Sequence, residues 1–407
     1  MRRMVAADVP ADLLVRAGTV YTAADVEPLL RDAWIHVREG RIAAVSASEP
    51  RASPGAARID APEATLLPGL VDCHVHFSLS GRPDWLAEVR EPYALACWRA
   101  AQHARATLRA GFTTVRTLGG RDGMDPALRD AQAAGLVEGP RISATNLVVC
   151  MTGGHGHWLG READGPAEVR KAVREQLKAG ADCVKLMATG GVMTPGVEPG
   201  AQQYTLEELR AGVEEAHKAG RKTASHAQGA EGIKAAVLAG VDSIEHGFYL
   251  TDEIIALMKE RGTFLSATLA AAAGLVEAPP NTVPEWARAK AVGVRQAHIE
   301  SFGRAYRAGV RLVLGTDAGT PFNAHGANAR ELALMVRYGV DPLDALAAAT
   351  CNSAELLGKA DEIGTIEPGK WADLVLCRGD ATRDVELLCE RRNLQAVVQG
   401  GRIIRAD

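Results

Sequence analysis

Six residues, His74, His76, Lys185, His226, His246 and Asp317, each lie at the end of a short apolar run that reads as a β-strand. Imidazoles, a carboxylate and an amine delivered by separate strand ends describe a metal site at the mouth of a β/α barrel. In LLPGLVDCHVHF, the apolar Leu66, Leu67, Leu70 and Val71 lead into His74, Val75 and His76. Side chains alternate along a strand, so both imidazoles face the same way and two nitrogens are placed to grip one ion. Imidazole suits zinc and similar first-row divalent metals, and a strand holds the rings more firmly than a loop. A histidine pair alone is also an ordinary polar feature of a strand end, so the other four positions carry the argument.

Lys185 is the most unusual of them. In CVKLMA it shares a face with Cys183 and Met187, which turns it inward near the end of its strand. A buried ammonium is costly without a partner. Three readings answer that cost: a salt bridge, a Schiff-base lysine, or carboxylation to a carbamate whose two oxygens bridge two metals. The histidines and aspartate converging on the same rim favour the carbamate. His226 ends KTASH and His246 ends VDSIEH, so successive strands each deliver an imidazole to one face. Structural roles are the reading for His36, His103 and His217. Asp317, in LVLGTDAGTP, follows four apolar residues and is suited to bind metal and exchange a proton; its rival role is an N-cap.

The elements that position these residues alternate. From Gly111 onward helix and strand follow one another: Pro92 to Arg109 and then FTTVRTL, PRISATNLVV, Ala167 to Ala179 and then CVKLMA, Leu206 to Ala219 and then KTASH. Gly232 to Ala239 precedes VDSIEH, Asp252 to Arg261 precedes TFLSATLA, and Val294 to Ala308 precedes RLVLGTD. With Leu66 to His76 there are eight strands, which fits an α/β fold of the (β/α)8 TIM-barrel type. A doubly wound sheet would carry a glycine-rich phosphate loop after its first strand, where this chain has His74 and His76. Both termini carry short alternating runs with glycine turns, such as DAWIHVREGRIAAVS and AVVQGGRIIR. They imply a small β-sandwich domain built from residues 1–65 and 359–407, with the barrel at 66–358 inserted between them.

The chain has 407 residues, 47% of them apolar, and a net charge of −4 with both signs interspersed. No basic stripe is present, which argues against nucleic acid and for a small-molecule partner. Seven cysteines, an odd number without a C-x-x-C pair, argue against a disulfide framework. The N-terminus MRRMVAADVPADLLV lacks an adequate apolar signal core, and no run of ~18 apolar residues follows. A cytoplasmic protein without a membrane partner is expected.

PGLVDCHVHF, GFTTVRTLGG, TGGHGH, VKLMATGGVMTP, TASHAQG, IEHGFY, GTDAGTP and GTIEPGKWADLVL together resemble the amidohydrolase superfamily. The likeness is greatest to its binuclear zinc Xaa-Pro and Xaa-Arg dipeptidases or carboxypeptidases and to ochratoxin-type amidases. The resemblance implies that His74, His76 and Asp317 hold one zinc and that His226 and His246 hold another, with carboxylated Lys185 and a hydroxide bridging them. It implies that Tyr249 contacts the scissile carbonyl or its oxyanion, and that His155 lies near the substrate's carboxylate or carbonyl. His157 stands where the family often has an acidic residue. Two metals about 3.5 to 4 Å apart bring the pKa of a bridging water towards neutrality. The expected reaction is attack of that metal-bridging hydroxide on an amide bond of a dipeptide or N-acyl amino acid, with Asp317 moving the proton. A mononuclear deaminase or cyclic-amide hydrolase of the imidazolonepropionase type is the alternative, and a binding protein with a degenerate site a third reading. Residues 270–282 and 191–204 are expected to shape the pocket. His325 and Arg116 are open between contacting a substrate carboxylate and structural roles. Family resemblance also implies a homo-oligomer.

Overall fold

The computed structural model describes residues 12–406. Met1–Ala11, read above as lacking an export signal and as opening the terminal β-domain, and Asp407 lie outside the described residues. The chain is a mixed α/β fold. Its strands in order are β1 (Asp12–Tyr21), β2 (Leu29–Arg38), β3 (Arg41–Ser46), β4 (Ala57–Pro68), β5 (Leu70–Val75), β6 (Phe112–Thr117), β7 (Arg141–Ser143) and β8 (Val148–Cys150). There follow β9 (Gly160–Glu162), β10 (Cys183–Met187), β11 (Lys222–Ala227), β12 (Ser243–His246), β13 (Phe264–Ser266), β14 (Leu374–Arg378), β15 (Leu394–Gln399) and β16 (Arg402–Ala406).

Both ends of the chain meet in a single hydrogen-bonded sheet ordered β16-β15-β14-β4-β1-β2-β3, where a two-layer sandwich was expected. Its alternating apolar positions, Leu13, Val15, Ile35, Leu66, Leu374 and Val398 among them, form a core of their own. The central segment builds two parallel arcs, β5-β6-β7 and β13-β12-β11-β10-β8-β9. Every residue of β5, β6 and β10 is buried, as expected of parallel strands covered on both faces.

Helices return the chain between these strands. Leu206–Lys218 shows why the sequence folds so locally: Thr205 and Glu208 form a reciprocal capping box, Leu209, Val213 and Ala216 face inward, and His217 and Lys218 occupy the last turn. Residues 311–318 run between the two arcs. Leu265 N–H donates to Arg311 O (2.9 Å) and Val313 N–H to Leu265 O (3.0 Å) on one side. On the other, Cys73 N–H donates to Leu314 O (2.8 Å) and Asp317 N–H to His74 O (2.7 Å). That double pairing carries Asp317 to the histidines of β5.

Candidate active site

His74 and His76, at and just past the end of β5, point their Nε2 atoms at one carboxylate oxygen, Asp317 Oδ1, at 3.4 and 3.0 Å. The far nitrogens are committed. His74 Nδ1 donates to Glu245 Oε2 (2.9 Å) and His76 Nδ1 to Gly119 O (2.7 Å). Thr268 gives its hydroxyl proton to Ala267 O, so its oxygen accepts from His246 Nδ1 at 2.6 Å. Each of the three rings is thereby left with an Nε2 lone pair facing inward. Ligand atoms of His74, His246 and Asp317 lie within 4.8 Å of one another. His226 stands beside His246, with ring centroids 4.5 Å apart, and spends Nε2 on Gly190 O (3.2 Å), which leaves Nδ1 free.

Electrostatics follow from burial. Desolvation holds His74, His226 and His246 well below the ordinary imidazole pKa, with the Lys185 charge adding to it, so their rings are neutral. Lys185 lies at the base of the same cleft, 1% exposed, with its pKa lowered to about 8, chiefly by burial. No described residue hydrogen-bonds or ion-pairs with its Nζ. Lone pairs aimed at a carboxylate need a cation between them, and a buried amine without a partner needs a chemical one. The donor set therefore fits divalent metal.

Backbone strain marks the same place. His246 (φ 74°), Thr268 (φ 52°) and Asp317 (φ 59°) are non-glycine residues in the left-handed region, and all three line the cleft.

His155 reaches the cleft too, its ring 4.2 Å from that of His226 and its Nδ1 2.6 Å from Thr194 Oγ1; burial lowers its pKa to about 3. Tyr249 is 38% exposed and is not among the residues that line the cleft, whereas its neighbour Phe248 is. His157 is exposed and holds Gly154 O. His325 stacks on His103 at 4.6 Å and braces the carbonyls of His76 and Leu79. Arg116 is wholly buried: its guanidinium donates to Cys73 O, Ser243 Oγ and Glu245 Oε1 at 2.7 to 3.1 Å. Arg116 and His325 thus hold structure around the site and do not line the cleft. Reading the sequence overlooked Glu245, although a carboxylate inside the apolar VDSIEH was a signal that something buried would pair with it.

An Amidohydrolase family model matches residues 65–404. The chain belongs to the amidohydrolase family, and its fold is of the TIM-barrel type. Ochratoxinase of Aspergillus niger is 31% identical over 377 residues, covering 84% of this chain and 75% of that protein. The crystal structure of that ochratoxinase superposes with a TM-score of 0.86 at 29% identity, covering 98% of this chain and 96% of the other. A crystal structure of a Xaa-Pro dipeptidase with methionine bound in the active site gives a TM-score of 0.90 at 34% identity, covering 96% of this chain and 99% of the other.

Proposed function

We propose that the protein is a metal-dependent hydrolase that cleaves the amide bond of a dipeptide or N-acyl amino acid. The observation that carries this is the convergence of inward Nε2 lone pairs on the Asp317 carboxylate beside the unpartnered Lys185 amine. His74, His76, His226, His246 and Asp317, with Lys185 carboxylated, would hold two divalent ions, zinc being suited to the nitrogen-rich set. Bound there, such ions polarise a carbonyl and make water nucleophilic near neutral pH. Free amine is the form that reacts with carbon dioxide, and the buried setting of Lys185 favours it.

The residues supply the rest. Asp317 accepts the proton of the attacking water and hands it to the leaving nitrogen. His155, held neutral by burial, orients the substrate carbonyl from the other wall. Tyr249 closes from the rim towards the developing oxyanion. The two arcs, joined through residues 311–318, are taken as one eight-membered barrel at 66–358, with β7 and β8 counted as one interrupted strand and β9 left outside the ring, and with the terminal β-domain at 1–65 and 359–407.

Chelated enzyme reloaded with zinc should bind two ions per chain and hydrolyse members of a dipeptide and N-acyl amino acid panel. Asp317→Asn should keep the fold and lose turnover by at least ~100-fold. One ion per chain with deaminase or cyclic-amide activity would transfer the assignment to that chemistry. Failure to retain any divalent metal would overturn it.

A further inference from the structure

The cleft over the candidate centre has a volume of about 960 Å³, counting the space open to solvent. Its floor is polar and its walls are not. Among the described residues that line it, Lys185 and Asp317 are the sole ammonium and carboxylate, and both belong to the centre. No arginine or glutamate reaches it. Lys290, whose charge is felt at His155, is tied to the carbonyls of Thr194 (2.8 Å) and Val197.

One wall is aromatic. Trp85, on the short helix Trp85–Arg90, and Trp158, in the turn after His155, bring their rings to 4.4 Å at an interplanar angle of 47°. Leu79, Leu159 and Met193 back them in a separate apolar cluster. His155 meets Trp158 edge-on at 5.8 Å, so this wall is continuous with the histidine that faces the centre. Trp85 is buried and Trp158 half-buried, and both line the cleft, so a bound group meets the apolar surface of two large rings beside His155.

We propose that Trp85 and Trp158 determine specificity, taking an uncharged aromatic or bulky aliphatic group adjacent to the scissile amide and rejecting basic or acidic side chains. This rests on the amidase reading above and narrows its substrate class. The physical reason is asymmetric. A bulky apolar group gains by leaving water against these rings, whereas a charged side chain placed there loses its hydration and finds no counter-charge.

Two matched series test it on zinc-loaded enzyme: N-acetyl-X with X being Phe, Leu, Ala, Lys or Glu, and alanine carrying a benzoyl or an acetyl group. In at least one series the aromatic member should exceed its small counterpart by at least ~10-fold in kcat/KM, and the Lys and Glu members should fall below Ala by a similar factor. Trp85→Ala and Trp158→Ala should collapse the aromatic-to-small ratio, mainly through KM, and Trp158→Phe should restore most of it. Charged members as good as Phe, or a ratio unmoved in both alanine variants, would overturn the proposal. If neither series is hydrolysed, the amidase reading fails by itself. Calorimetric binding of N-acetyl-phenylalaninamide against N-acetyl-lysinamide to the same protein then decides the specificity. Preference for the aromatic amide, lost in Trp158→Ala, supports it; equal binding refutes it.

Discussion

Two nitrogens per imidazole make each histidine of the centre a question of orientation, and the answer lies one residue further out. Glu245 accepts from His74 Nδ1, from Ser243 Oγ at 2.5 Å and from Arg116, so its charge is satisfied at zero exposure. Glu245→Gln keeps the shape but makes a weaker acceptor for His74 and breaks the charge pair with Arg116. Metal affinity should fall by about 10- to 100-fold in a chelator competition, with far-ultraviolet circular dichroism unchanged. An unchanged affinity would reduce Glu245 to a packing role. That the six candidate residues share one cleft was legible because each stands in or beside a short stretch that reads as a buried strand. Glu245 was not, since alternation turns it to the face opposite its neighbour His246 and conceals that its partner is His74, 171 positions away. A second carboxylate, partly buried, makes stability depend on pH at the acid end. Asp242 accepts from His217 Nε2, Lys222 Nζ and the Thr223 amide and hydroxyl. Burial opposes its ionisation, but these bonds outweigh it and hold the carboxyl below the ordinary value. A depressed folded pKa gives stability that is present above the unfolded pKa and lost as pH falls through the folded one. Asp242→Asn should therefore lose on the order of 2 kcal/mol at pH 7 and almost nothing at the acid end. Denaturant midpoints measured from pH 7 down to about pH 1 read this out: the gap should hold to about pH 4 and close below it, and parallel curves for the two proteins below about pH 4 would refute it.

Strand ends carry the site, so the elements that fix them matter more than their own stability. Gly315 lies between β13 and β5, where an added Cβ would stand 2.2 Å from Ser266 Oγ and 2.9 Å from His74 Cβ. Gly315→Ala should push the connecting segment off β5, costing about 1–3 kcal/mol of stability and lowering metal occupancy together. Thermal midpoint and metal content check it, and a wild-type value for both would show that the segment gives way freely. The alternating helices and strands after Gly111 were legible from periodicity alone, because buried parallel strands are short apolar runs between longer amphipathic helices. Several places were not: PRISATNLVV breaks into β7 and β8, and RLVLGTD bonds to both arcs without forming a strand of its own. The run Leu66 to His76 is two strands, since at Gly69 the chain leaves β14 for β6: Pro68 pairs with Leu374 and Leu70 with Phe112. TFLSATLA stops being a strand at Ser266, because Thr268 turns left-handed and its apolar successors form the helix Leu269–Glu277 in what was read as a loop. The helix expected from Val294 begins at Glu285, where Pro284 opens it. Short apolar runs look alike in either state, and only tertiary pairing separates them.

At the scale of the whole molecule, the first and last parts of the chain share a sheet with the site suspended between them. β4 is the hinge of that arrangement: it pairs with β1 in parallel and with β14 antiparallel, and its end passes through Gly69 into β5. The terminal sheet also grips the barrel-type region directly. Asp373 pairs with Arg141 and accepts from the Gly400 amide, while Gln399 Nε2 donates to Thr113 O at 2.9 Å. Shared texture at the two termini revealed the union of ends, because alternation and glycine turns are local signals. These cross-ties were invisible, being made by single residues far apart in sequence. A chain ending at Asp373 keeps every candidate ligand yet strips β14, β15 and β16. That bares one ladder edge of β4 and removes Leu374, Leu376, Ala396 and Val398 from the core of the sheet. An unpaired edge over an opened apolar core is a template for aggregation. The truncated protein should be largely insoluble, and its soluble fraction should bind far less zinc than the full chain. In the full chain, unfolding followed by circular dichroism and by zinc release should coincide, since the strand that begins the site continues the strand that anchors the sheet. Soluble truncated protein with full metal content, or zinc release well before the sheet melts, would show that the two regions fold independently.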